Sequence, residues 1–172
     1  MMYSLAVLAM ATLTSPSLCS VGELRRSPGY QWTVERIREV VDSAQLIVRA
    51  KAVARDRASV RNRELGPVSR IRFEILDVYR GDRPQQLGLR GDTASTDDYN
   101  ELPVPYRLVR RAGQRGDCFA SEYKLGAEYL LLLRHDRGEL TTRWWPLAPL
   151  NEQVRGSDDP WVLWVRRQMG KD

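Results

Sequence analysis

The stretch that most restricts the fold is VSRIRFEILDVYRGD, residues 68–82. Ile71, Phe73 and Ile75 share one face, with Arg70, Arg72 and Glu74 opposite, as in a half-buried strand. After Ile75 the phase slips, because Val78 rather than Asp77 must point inward. A one-residue slip inside a long strand is the mark of a β-bulge, which bends the strand and increases its twist. Long bent strands close small barrels, so this segment predicts a curled sheet.

The neighbouring segments fit that prediction. In AQLIVRAKAVAR, residues 44–55, Leu46, Val48, Ala50, Ala52 and Ala54 alternate with polar residues and predict a strand. Its small alanines leave room for another element to pack closely. QQLGLRGD supplies a short strand through Leu87 and Leu89. AEYLLLLRH is apolar on both faces and predicts a central strand, and the DRG turn leads into ELTTRWW as a fifth. Residues 93–117 form a Pro- and Gly-punctuated excursion, too long for a simple hairpin and so a candidate binding loop.

Two helices flank the strands. Thr33 is placed to cap TVERIREVVDSA, whose Val34, Ile37, Val40 and Val41 share a face, and Trp32 and Ile37 stand at hydrophobic-staple positions. In SDDPWVLWVRRQMG, Asp159 caps, Pro160 takes the first helical position, and Trp161, Trp164 and Val165 form the apolar face. The fold class read from the sequence is therefore mainly β with flanking helices.

The first nineteen residues predict export. MMYSLAVLAMATLTSPSLC holds no charge, its apolar run Leu5–Leu13 is too short to span a bilayer, and Pro16 and serines follow. We read residues 1–19 as a signal peptide and 20–172 as one domain, secreted or periplasmic, with no transmembrane segment after the leader is removed. Cutting after Ser17 would retain Cys19 and cutting after Cys19 would discard it, so the mature chain has two cysteines or one. Two cysteines in an oxidising compartment suggest a disulfide. A Cys19–Cys118 bridge would close a loop of about 100 residues, worth up to ~4.7 kcal/mol in the chain-entropy model.

Other chemistry is thin. His135 is the only histidine, and the length of a strand separates it from Cys118, which weakens a thiol hydrolase built on that pair. We expect no catalytic residue, cofactor or metal. Asp92, Asp97, Asp98, Asn100 and Glu101 lack the spacing of a calcium loop. Three Arg-Gly-Asp tripeptides, at 80–82, 90–92 and 115–117, read as turn chemistry.

The strand motifs SAQLIVRAKAV, RIRFEILDVYRGD and LGAEYLLLLR, with Cys118 before the last, resemble the netrin-like domain shared with tissue inhibitors of metalloproteinases. The resemblance covers roughly residues 42–135 and implies a small five-stranded OB-like barrel, secreted, disulfide-bearing and without catalytic apparatus. In that family the cysteine corresponding to Cys118 is usually bonded toward the N-terminus. The inhibitors' N-terminal Cys-x-Cys is here Cys19-Ser20-Val21, which puts metalloproteinase inhibition in doubt.

The function read from the sequence is an exported, non-catalytic binding or interaction module of netrin-like OB type, a monomer whose partner is an unknown protein or cell-envelope ligand. Its expected interaction surface is the 93–117 excursion with Tyr99 and Tyr106, and Trp144 with Trp145. The alternative is an intracellular OB-type nucleic-acid binder using Arg49, Lys51, Arg70 and Arg72, which export argues against.

Overall fold

A computed structural model describes residues 32–56, 61–62, 66–67 and 69–170. The predicted leader and Cys19 lie outside the described residues. Within them the fold is mainly β, with two helices. Helix α1 spans Val34–Ser43 and helix α2 spans Pro160–Gln168. The strands are β1 Leu46–Asp56, β2 Arg61–Asn62, β3 Gly66–Pro67, β4 Arg70–Arg80, β5 Leu87–Arg90, β6 Asp92–Ala94, β7 Glu122–Lys124, β8 Glu128–Asp136, β9 Glu139–Thr141 and β10 Asn151–Val154.

One large antiparallel sheet carries the fold, in the order β10-β8-β1-β4-β5, with β9 paired to the far end of β8. The phase slip after Ile75 is a bulge. Arg49 pairs with Asp77 and Ala50 with Ile75, so Leu76 is extra on β4. A second bulge leaves out Tyr79, and a third leaves out Val53 on β1. Three irregularities along one ladder give this pair of long strands a strong bend and twist.

The curl gives the sheet an inner and an outer face. Inside, Leu46, Val48, Ala50 and Ala52 of β1 join Ile71, Phe73, Leu87, Leu89, Leu131 and Leu133. The alanines make room for rings: Ala52 pairs with Phe73, and Ala50 with Tyr129. Phe73, Tyr123 and Tyr129 meet edge-on at centroid distances of 5.1, 6.1 and 5.1 Å, contacts worth about 0.5–1.5 kcal/mol each beyond burial. Outside, Ile47, Leu130 and Leu132 receive the apolar faces of α1 and α2, including Ile37, Val41, Trp161 and Val165. Strand β1 is thus buried on both faces at its start.

Both helix caps take the predicted residues. Thr33 Oγ1 accepts from the Arg36 N–H at 3.3 Å, and Asp159 Oδ1 from the Trp161 N–H at 2.9 Å. The last carbonyls of α1 are met from the sheet. Arg80 reaches Val41, Asp42 and Ala44 oxygens at 2.5, 3.1 and 3.3 Å. The first Arg-Gly-Asp is therefore a helix-to-strand clamp, with Gly81 at φ +78° beside Gln45.

Three expectations need correction. The fifth strand is only Glu139–Thr141; Trp144 and Trp145 lie in turns beyond it. A strand that the sequence did not suggest, β10, holds the sheet edge beside β8. Among the described residues no ladder joins β5 to β9, so the sheet curls without closing.

Candidate functional site

The predicted surface residues do not form one site. Tyr106 is core: it is 5% exposed and stacks on Trp161 at 5.0 Å. Burial, with the Asp159 and Glu152 charges, pushes its hydroxyl pKa up to about 12. Trp144 and Trp145 are half-buried against the helices, with rings 5.8 Å apart. Arg134 lies over Trp144, and the Trp144 indole N–H donates to the Leu132 carbonyl at 3.3 Å. Tyr99 is half-buried beneath the Arg155 guanidinium, 4.1 Å from its ring centre.

The excursion is held by a buried polar network. It leaves the main sheet through β6 and returns through β7, which pair in parallel. Between them Arg110, with a fully buried side chain, donates to the carbonyls of Asn151, Ala120 and Glu122 and to Asp98 Oδ2 at 2.8 Å. Its guanidinium also lies 5.4 and 5.3 Å from the Tyr123 and Tyr129 ring centres. This supplies donors to the carbonyls of the return segment, where Cys118 and Ala120 take left-handed φ of 61° and 48°.

Strand β10 supplies the other half. Glu152, 0% exposed, accepts from the Arg110 N–H at 3.0 Å and from Asn100 Nδ2 at 2.9 Å. Gln153 accepts from the Asp98 N–H and donates to Asp97, and Asn151 donates to the Phe119 and Ala120 carbonyls and the Tyr123 hydroxyl. Desolvation pushes the Glu152 carboxyl up to about 7, outweighing the Arg110 charge and the two N–H donors that favour its ionised form. The network fixes the loop; it leaves no space for a substrate to reach Glu152.

Cys118 is fully buried, among Val109, Ala120 and Leu147. His135 is exposed, and its main-chain N–H donates to Gln45 Oε1 at 2.7 Å. The two belong to different regions of the fold. Among the described residues no group of three or more His, Cys, Asp or Glu side chains is gathered to hold a metal ion.

An open cleft does occur at the seam that the curled sheet leaves between β5 and the β8–β9 hairpin. Its volume is about 440 Å³. It is lined by Asp56 of β1, Arg70 and Arg72 of β4, Gln86, Leu87 and Gly88 at β5, and His135, Gly138, Glu139 and Leu140 of the β8–β9 hairpin. Arg70 crosses it in a two-pronged contact, NH1 to Glu139 Oε1 at 3.1 Å and NH2 to Oε2 at 3.0 Å. Arg72 stands 3.9 Å from Asp56. These pairs are largely exposed and hold their partners weakly. The arrangement offers hydrogen-bond donors and acceptors beside Leu87 and Leu140.

Sequence reasoning placed Arg70 and Arg72 on an outward face and passed over Gly88 and the hairpin. The isolated glycine in QQLGLRGD was the available signal. No protein-family model and no curated protein matches the chain.

Proposed function

We propose that the chain is an exported, non-catalytic binding module built on a partly open, OB-type barrel of the netrin-like kind. The strand motifs and the order β9-β8-β1-β4-β5, with its two ends drawn together across the Arg70–Glu139 contact, support that barrel. The carrying observation is the seam cleft. Five-stranded barrels of this type hold ligands against the face of their second and third strands and the adjoining loops. Here β4 and β5 are those strands, and the β8–β9 turn is one of those loops.

Export is supported by the uncharged, apolar leader, and Cys19 is the proposed partner of Cys118. The nucleic-acid alternative has less support. Arg49 is bonded to Asp77 and Glu128, Arg70 to Glu139, and Arg72 faces Asp56. Phosphates would have to displace carboxylates at these three arginines. A thiol hydrolase would need a free, accessible Cys118.

Two measurements test the reading. Intact mass of protein from the native host's exported fraction should show a chain cut before Cys19, with Cys118 resistant to alkylation until reduced. Backbone NMR shifts on adding fractionated envelope components should cluster at residues 86–90 and 135–140. An untrimmed cytosolic chain, or shifts confined to Trp144, Trp145 and Tyr99, would remove the proposal.

A further inference from the structure

The charged side chains that line the seam cleft cancel. Arg70 faces Glu139 and Arg72 faces Asp56, so each positive charge has a negative one beside it. An anion entering the cleft is attracted by an arginine and repelled by the carboxylate next to it, and a cation meets the reverse. Neither gains much from Coulomb attraction.

The two pairs differ in how completely they are bonded. The Arg70 guanidinium is fully engaged: it forks onto Glu139 at 3.1 and 3.0 Å, and its NH2 lies 3.4 Å from the Gly88 carbonyl oxygen. Arg72 and Asp56 approach only to 3.9 Å, beyond hydrogen-bond reach. Neither side chain has a hydrogen-bond partner among the described residues, and the exposed side chains of Gln86 and His135 also have none. The open hydrogen-bonding capacity of the cleft is therefore a guanidinium that only donates, a carboxylate that only accepts, and two groups that do both. Leu140, half-buried, adds an apolar edge.

We infer that the cleft takes an uncharged polyhydroxylated ligand, a neutral glycan segment, held at the Asp56–Arg72 pair. This rests on the seam cleft being the binding site. A hydroxyl both accepts and donates. One hydroxyl, or a vicinal pair, set between the two side chains accepts from the Arg72 guanidinium and donates to the Asp56 carboxylate, and leaves neither charge unpaired. The Arg70–Glu139 fork stays closed as a fixed wall, while Gln86 and His135 meet further hydroxyls and Leu140 meets a C–H face of the sugar. A cleft of about 440 Å³ lies within the size range of small-ligand sites. All four polar groups exchange water for hydroxyl on binding, so each bond gains little and the affinity is modest.

The test is an NMR titration of the isotope-labelled full chain with tetrasaccharides. The neutral probes are cellotetraose, maltotetraose and isomaltotetraose; the charged ones are tetragalacturonate and tetraglucosamine. At least one neutral probe should shift the amides of Asp56, Arg72, 86–90 and 135–140, and bind more tightly than either charged probe. Arg72→Gln and Asp56→Asn should each weaken it about tenfold, the worth of one charge-assisted hydrogen bond. They should also split the charge preference: Asp56→Asn gains affinity for tetragalacturonate and Arg72→Gln for tetraglucosamine, a signature that misfolding would not give. Both side chains are more than half exposed, so melting temperatures should not move. Neutral binding that ignores both variants overturns the inference. A wild-type preference for a charged probe at these amides overturns it and leaves the cleft standing, as does silence of all the tetrasaccharides while envelope components still shift 86–90 and 135–140. If those components leave these residues unmoved, the cleft itself is not the binding site and the inference falls with it.

Discussion

The main-chain N–H of Arg110 donates to Glu152 Oε1 at 3.0 Å, while the Arg110 guanidinium passes that carboxylate and ends on Asp98 and three carbonyls. Glu152 is thus buried near a positive charge without sharing a salt bridge with it, and its carboxyl is held up at about 7. The groups around it are Arg110, Asp98 and Asn100 from the excursion, beside Asn151 and Gln153 on its own strand.

A raised carboxyl makes stability depend on pH in a defined direction. Between the ordinary value of 4.5 and about 7 the folded state binds the extra proton, so this stabilisation is full below 4.5 and is lost as pH rises through 7. The loss is roughly 3 kcal/mol for a shift of this size. Urea midpoints of the wild type should fall relative to Glu152→Gln across that window, and parallel curves would refute the assignment.

Arg110 should be among the least replaceable residues in the chain. Arg110→Met leaves Asp98 and the carbonyls of Ala120, Glu122 and Asn151 without their donor, a loss on the order of 3–5 kcal/mol. Arg110→Lys should rescue little, since an ammonium cannot fork to four acceptors. Denaturant unfolding at constant m-value measures both.

Glycines 81 and 88 should behave oppositely. Gly81→Ala meets both a φ of +78° and the Gln45 carbonyl, costing about 1–3 kcal/mol. Gly88→Ala meets neither and should be neutral or gain up to about 1 kcal/mol through the unfolded chain. Thermal melts of the two variants make the comparison.

Tyr106→Ala removes a ring stacked on Trp161 in the helix-side core and should cost about 3–5 kcal/mol. Trp144→Ala, at a half-buried turn, should cost less. A reversed order would place the core elsewhere.

Elements with a strong period or a definite cap were readable in the sequence. Strands β1, β4 and β8, the bulge at Leu76, and both helices follow from apolar spacing with Thr33, Asp159 and Pro160. Strand β10 was not, because Asn151, Glu152 and Gln153 are buried for their hydrogen bonds and carry no apolar alternation. Tyr106 was misjudged for a related reason: in a loop without period, nothing local separates a ring that packs inward from one that faces water. The seam cleft joins residues from five separate stretches of chain, so only the curl of the sheet assembles it.

The bonds from Gln153 to residues 97 and 98, with the parallel bridge from Tyr99, also occupy the outer rim of β10. A bare rim there would be a template for stacking one copy of the chain onto the next. The excursion therefore covers that rim, and a version with the loop shortened would be expected to precipitate more readily than the wild type.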